Sequence, residues 1–138
     1  MAYDIFISYR QAGGDAVVRE IYLRLEHLGY NVFFDHNDAA GPNWLQRIYK
    51  AIEESKIIIF VYTPKALDRC CEQEDVVRKE LKYAYDLKKH CIMVEVNSAF
   101  HNDGGFPKDC PLEVKEAFKK HTYFDVSTGM NQSLTIER

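Results

Sequence analysis

The chain has 138 residues, and 46% of them are hydrophobic, which suits one globular domain with a single core. Its 18 Lys and Arg and 21 Asp and Glu residues give a net charge of -3 without a basic stripe, so we expect no nucleic-acid partner. The longest apolar run, IIIFVY at 57–62, is too short to cross a bilayer, and the N-terminus lacks the basic start and small-residue cleavage site of a secretion signal. We therefore expect a cytoplasmic protein with no membrane partner.

Five β-rich segments alternate with helical patterns along the chain. The predicted strands lie at 3–8, 31–35, 56–63, 91–96 and 122–126. The third of them has the continuous branched residues that are typical of a central parallel strand.

Apolar residues at helical spacing occupy the segments between these strands. The predicted helices are a first one from an N-cap at Asp15 to Gly29, a second over 45–52, a third over 74–86 and a short amphipathic one over 112–120. Strict alternation of strand and helix implies right-handed crossovers and a parallel sheet with helices on both faces, so the predicted class is α/β.

Polar side chains are expected at the carboxyl ends of the strands, where ligands of such sheets bind at the point of strand-order reversal. The residues expected at this edge are Ser8, Tyr9, Arg10, Asp35, His36, Tyr62, Thr63 and Asn97. Each helix starts where its strand ends, so the early turns of the helix at 74–86 bring Glu80 to the same edge.

Glu80 has an unusual setting within that predicted helix. The residues three or four positions away are Val76, Val77, Tyr83 and Ala84, so none of these neighbours on the helix surface is a cation. One interpretation places the carboxylate in water at the border of a buried stripe. The other places it in a site that receives a ligand.

Familiar catalytic motifs give little support for other chemistries. The glycine pair at 13–14 matches neither GxGxxG nor GxxxxGK[ST], and Ser8 lies in FISYR without the flanking glycines of a hydrolase elbow. A paired-carboxylate hydrolase stays open, since three acids could share one cleft. These acids are Asp35, Asp38 and Glu80.

Cysteine and histidine spacing favours neither a metal site nor disulfides. The chain has no CxxC pair, and no histidine lies at zinc-finger or HExxH spacing from a second ligand. In the expected reducing compartment, the thiols stay free. They belong to Cys70, Cys71, Cys91 and Cys110.

Taken together, the segments YDIFISYR, GYNVFFDHNDAAGPNW, IIIFVYTPKALDRC and DVVRKEL resemble the successive boxes of a Toll/interleukin-1 receptor (TIR) domain. The arginine of SYR and the PKALD run resemble in particular the NAD-cleaving TIR domains of bacterial antiviral systems and of animal axon degeneration. YFDVS and the later SLTIER are similar to the last strand and the opening of the last helix in the bacterial domains. We therefore expect a single TIR domain over 1–138, as a fragment of a longer chain with a further sensing or assembly domain.

The resemblance implies a flavodoxin-like three-layer fold with a five-stranded parallel sheet. It also implies an NAD glycohydrolase or cyclase that is activated by oligomerisation in immune or antiviral signalling. The implied partners are NAD as substrate and other TIR domains, with no metal and no further cofactor. The main alternative is a non-catalytic TIR–TIR interaction module, and a receiver-type domain would instead need an acidic pair at the end of the first strand.

The same resemblance implies the site residues. Glu80 falls on the family's catalytic glutamate, and Arg10 falls on the strand-one arginine near the substrate, where it would hold the pyrophosphate. The segment 35–44 falls on the so-called BB loop, within which Trp44 would stack on a base. Ser8 and Asp35 complete the implied NAD-binding set.

One position departs from the family pattern. The family often has a tryptophan four residues before the glutamate, as part of the pocket wall, and this chain has Val76 there.

A single carboxylate suits the implied reaction. Nicotinamide departs as a neutral base and needs no general acid, whereas positive charge builds on the ribose as an oxocarbenium ion. A carboxylate in a poorly solvated pocket stabilises that charge, which would explain why the apolar setting of Glu80 contains no cation. Whether water, an atom of the same substrate or another base accepts the ribosyl group stays open.

Overall fold

The computed structural model describes residues 3–10, 14–34 and 43–125. Within these ranges the strands are β1 (Tyr3–Tyr9), β2 (Val32–Phe33), β3 (Ser55–Tyr62), β4 (His90–Val96) and β5 (Phe118–Phe124). The helices are α1 (Asp15–His27), α2 (Trp44–Glu53), α3 (Val76–Asp86), α4 (Ala99–Asn102) and α5 (Leu112–Ala117). Several predictions lie outside the described residues: Asp35, His36, Asp38, the BB loop up to residue 42, and the closing helical segment at 131–138.

All five strands are parallel and form one sheet in the order β2-β1-β3-β4-β5. This is the flavodoxin-like order, so the predicted α/β class and five-stranded parallel sheet are confirmed. The strand order reverses between β1 and β3, and Ile5 of β1 pairs with Val32 of β2 on one side and Ile57 of β3 on the other. The ligand-binding crevice of such a sheet lies outside the carboxyl ends of these two strands.

Side chains alternate between the two faces of β1, and each face has its own core. The face that carries Ile5, Ile7 and Tyr9 is covered by α1 and belongs to one cluster of buried residues. The opposite face carries Phe6, which lies in a second cluster with residues of α2 and α3. Because both faces of β1 are covered, both its odd-numbered and its even-numbered positions carry apolar residues.

Several element boundaries differ from the sequence-based predictions, and three of them matter for the site or for the last strand. The N-cap of α1 is Gly14 rather than Asp15, and Asp15 instead accepts a hydrogen bond from the Tyr9 hydroxyl at 2.9 Å. The helix of Glu80 starts at Val76, two residues later than predicted. The helix predicted over 112–120 ends early, because Phe118 already pairs with β4 and opens β5.

None of the helices in the described part of the chain is both long and apolar enough to cross a membrane.

Candidate active site

Glu80 lies on α3 with its side chain against β1. The residue is 8% exposed, and its Oε1 accepts a hydrogen bond from Ser8 Oγ at 2.6 Å. Ser8 is 1% exposed, so this contact between two residues 72 positions apart lies in the interior. A hydroxyl that donates to a carboxylate forms a strong, charge-assisted hydrogen bond. The interpretation that places this carboxylate in water is therefore wrong.

The topology of the sheet explains why Ser8 and Glu80 meet. Ser8 is next to the last residue of β1 and pairs with Phe60 near the end of β3. It lies on the same face as Phe6, which is the face covered by α3. The Glu80 carboxylate therefore lies beside the carboxyl end of β1, at the point where the strand order reverses.

Arg10 follows β1 and is bound by the segment that precedes α3. Its Nε and Nη2 donate to the Ala66 carbonyl oxygen at 3.1 and 2.9 Å. Its Nη2 also donates to Asp75 Oδ2 at 3.0 Å, and its Nη1 donates to Asp75 Oδ1. The side chains of Arg10 and Asp75 are 16% and 2% exposed, so the ion pair is largely buried.

Asp75 has a second task as the N-cap of α3. It has an extended backbone conformation, and its Oδ2 accepts a hydrogen bond from the Arg78 backbone N–H at 3.3 Å. This bond satisfies one of the backbone donors that a helix start leaves without an intrahelical acceptor. The same carboxylate thus joins the end of β1 to the start of the helix that carries Glu80.

Cys70 lies next to this ion pair but is a poor nucleophile. Burial raises the pKa of the Cys70 thiol to about 12, with a further rise from the neighbouring Asp75 carboxylate. A thiol with such a pKa stays protonated at neutral pH, and the thiolate is the reactive form. All four cysteines of the chain are free, as predicted.

The structure brings together some of the predicted site residues. Ser8 and Glu80 are in direct contact, and Arg10 is linked to the start of the Glu80 helix through Asp75. Trp44 is the first residue of α2 and packs, half buried, against the cluster that contains Phe6. The NAD contacts assigned to Ser8, Arg10 and Trp44 stay predictions, as does that of Asp35 beyond the described ranges.

Asp75 is the residue that sequence reasoning missed. An Asp directly before an apolar helical run is a recognisable N-cap signal, and VVRKEL follows it here. The sequence gives no comparable signal for its ion pair, because Arg10 lies 65 positions earlier in the chain.

Within the described ranges, no three His, Cys, Asp or Glu side chains are grouped so that they could hold a metal ion.

These features define a class: a flavodoxin-like α/β domain with a buried carboxylate at the reversal point of its sheet. Residues 5–135 match the TIR domain family, and the chain belongs to that family. The resemblance noted in the sequence boxes is thereby confirmed.

Three relatives are proteins named NAD(+) hydrolases. The protein tir-1 of Caenorhabditis elegans is 36% identical over 94 residues, which are 66% of this chain and 10% of that protein. SARM1 of Danio rerio is 27% identical over 115 residues, or 81% of this chain and 16% of that protein. The sarm1 protein of Drosophila melanogaster is 28% identical over 96 residues, which are 67% of this chain and 7% of that protein. The chain thus spans no more than 16% of the length of any of the three.

Solved structures with the same fold include a receptor domain, an N-glycosidase and the TIR domains of a resistosome. The TIR domain of the Toll-related receptor TRR-2 from Hydra magnipapillata has a TM-score of 0.56 at 22% identity, over 91% of this chain and 85% of that one. The CMP N-glycosidase BcmB of Clostridium botulinum has a TM-score of 0.57 at 14% identity, over 92% and 93%. The TIR domains of the activated Roq1 resistosome have a TM-score of 0.55 at 16% identity, over 83% and 68%. At these identities the similarity shows the fold alone.

Proposed function

We propose that this TIR domain cleaves the bond between nicotinamide and ribose in NAD, with Glu80 as the catalytic carboxylate. The observation that carries the proposal is the buried Glu80 side chain, held by Ser8 at the carboxyl end of β1. Relatives named NAD(+) hydrolases, at 27 to 36% identity, support NAD as the substrate.

The reaction needs one well-placed negative charge. The bond between ribose C1′ and the pyridinium nitrogen breaks, and its electron pair leaves with nicotinamide as a neutral base. Positive charge then develops on the ribose, and a carboxylate shielded from water stabilises it more than a solvated one would. The hydrogen bond from Ser8 fixes Oε1 of Glu80, so the carboxylate needs little reorganisation as the charge appears.

The acceptor of the ribosyl group determines the product. If water adds to C1′ and loses a proton, the product is ADP-ribose. If a nitrogen or oxygen of the same substrate adds instead, the product is a cyclic ADP-ribose isomer. Mass spectrometry of the reaction mixture distinguishes the two products, because the cyclic one lacks the mass of one water molecule.

Self-association through TIR–TIR contacts is the proposed means of control, in an immune or antiviral signalling role. If the 35–44 segment of a neighbouring copy completes the pocket, a dilute monomer has an incomplete pocket and would be nearly inactive. NAD loss should therefore rise more steeply than linearly with protein concentration. A rate that stays proportional to protein concentration down to dilute monomer would contradict this control.

The test of the proposed activity is release of nicotinamide from NAD by the purified chain, with and without a crowding agent. Glu80→Gln keeps the size of the side chain but removes its charge, and we expect a loss of at least about a hundredfold, as for other preorganised electrostatic groups. The matched control is Glu74→Gln, since the Glu74 side chain is 89% exposed and lies six residues earlier. Undiminished cleavage by Glu80→Gln would remove Glu80 from the mechanism.

A non-catalytic interaction module is the competing function. It would be favoured if the wild-type chain self-associates under crowding and releases no nicotinamide.

A further inference from the structure

We infer that Arg10 is a positioning residue for Glu80 and acts through Asp75. Arg10, the Ala66 carbonyl and Asp75 form what we term the β1–α3 clamp, which sets the position of α3 along β1. The catalytic consequence of the clamp rests on the proposed function, whereas the clamp itself is a property of the fold.

Alternate residues of β1 and of the position that follows it match positions along α3 and its N-cap, in the reverse order. Phe6 and Ala84 share a buried cluster, Ser8 contacts Glu80, and Arg10 contacts Asp75. Two residues along a strand cover about 6.6 Å. The five steps from Asp75 to Glu80 cover about 7.5 Å of helix axis, so the two polar attachments have similar spacings on the strand side and on the helix side.

The clamp uses most of the hydrogen-bonding capacity of Arg10. A guanidinium has about five N–H groups, one on Nε and two on each terminal nitrogen. The contacts with the Ala66 carbonyl and Asp75 account for four hydrogen bonds. Arg10 would have to give up several of these contacts, and leave the Asp75 carboxylate buried without its charge partner, to hold a pyrophosphate instead.

Asp75 transmits the position of Arg10 to the helix. Its side chain is 2% exposed and caps α3 through the Arg78 backbone N–H, so it moves with the first turn of the helix. Glu80 lies on the next turn, and its contact with Ser8 at 2.6 Å leaves little room for a shift or rotation of α3. Loosening the clamp therefore displaces the Glu80 carboxylate from its place beside β1.

The test compares Arg10→Lys, Asp75→Asn and the double variant with the wild-type chain. Lysine keeps the charge but loses the bidentate fork, and asparagine keeps an oxygen that can cap α3 but loses the charge. The matched control is Arg69→Lys, because Arg69 lies in the same connecting segment and pairs with Glu72 on the surface. The measurements are kcat and KM for NAD and, without NAD, amide hydrogen exchange in α3 and the carboxyl ¹³C signal of Glu80.

A positioning role predicts the same defect from both sides of the clamp. Each single variant should lower kcat by about tenfold or more with little change in KM. The kcat of the double variant should be no lower than that of the less active single variant, as for residues that act as a unit. Exchange in the first turns of α3 should rise and the Glu80 signal should move in all three variants. The Arg69→Lys control should match the wild-type chain in every measurement.

Two results would overturn the inference. If Arg10→Lys raises KM while Asp75→Asn leaves the kinetics unchanged, Arg10 contacts the substrate and does not act through Asp75. If exchange in α3 and the Glu80 signal match the wild-type chain in all variants, the clamp does not position the carboxylate. Hydrogen exchange in α3 and the Glu80 signal are measured without NAD. They therefore test the clamp even if the wild-type chain releases no nicotinamide and the proposed function fails.

Discussion

Replacement of Asp75 by alanine should be among the most destabilising polar substitutions in this chain. It removes the carboxylate that accepts from two nitrogens of Arg10 and from the Arg78 backbone N–H. The guanidinium keeps only the Ala66 carbonyl as its protein acceptor among these contacts. A cation is then left in a largely buried position without its counter-charge.

The magnitude follows from two losses. Breaking a buried ion pair from one side costs about 3 to 5 kcal/mol. Arg10 is 16% exposed and can recover some hydration, so the lower end, about 3 kcal/mol, applies here. Loss of the N-cap adds about 1 kcal/mol, which gives about 4 kcal/mol in total. Asp75→Asn retains a capping oxygen and should cost about 1 kcal/mol less than Asp75→Ala.

Urea unfolding followed by circular dichroism measures these differences. With a slope of about 2 kcal/mol per molar urea, Asp75→Ala should lower the midpoint by about 2 M without changing the slope. Glu72→Ala serves as the control, because it removes an acid from an exposed ion pair with Arg69 in the same segment and should leave the midpoint unchanged. If Asp75→Ala behaves like Glu72→Ala, the ion pair between Arg10 and Asp75 does not stabilise the fold.

One thiol reagent and substitutions at Leu81 and Gly14 test other parts of the structure. Burial raises the pKa of three of the four thiols to about 11 or 12 and keeps them protonated, so iodoacetamide at neutral pH should modify the folded chain slowly and once, at the exposed Cys71. Intact-protein mass spectrometry counts the adducts, and more than one adduct on the folded chain would contradict this expectation. Leu81→Ala should cost about 2 to 5 kcal/mol of unfolding free energy, whereas Leu87→Ala, at a position 40% exposed, should cost far less, and equal effects would argue against the described packing of α3. Gly14→Ala should destabilise by about 1 to 3 kcal/mol, since its Cβ would lie 2.6 Å from the Arg10 carbonyl oxygen, and an unchanged melting temperature would show that this backbone gives way easily.

The class of the fold and the edge of the site could be predicted because both follow from patterns within short segments. Both parities of β1 are apolar, which indicated a strand covered on two faces, and alternation with helices indicated parallel pairing. Parallel strands then bring their carboxyl ends to one edge, so Ser8 and Glu80 could be expected near each other. The structure adds that they are in hydrogen-bond contact.

Boundaries and long-range ion pairs could not be predicted in the same way. Val114 and Ala117 continue a helical stripe toward Phe118, and nothing local shows that Phe118 instead pairs with Cys91 of β4. Strand pairing of this kind is decided by tertiary packing rather than by local propensity. The burial of Arg10 against Asp75 depends in the same way on a partner 65 positions away.

The parallel topology also fixes the order in which a nascent chain can acquire its site. β1 leaves the ribosome before the other strands of the domain, yet its partner on the inner side of the sheet, β3, begins only at Ser55. Glu80 follows its serine by 72 residues, so the carboxylate reaches its place only after α3 has been synthesised and docked. A growing polypeptide therefore carries no assembled site until more than half of the domain has been translated, and premature termination before α3 yields a product without one.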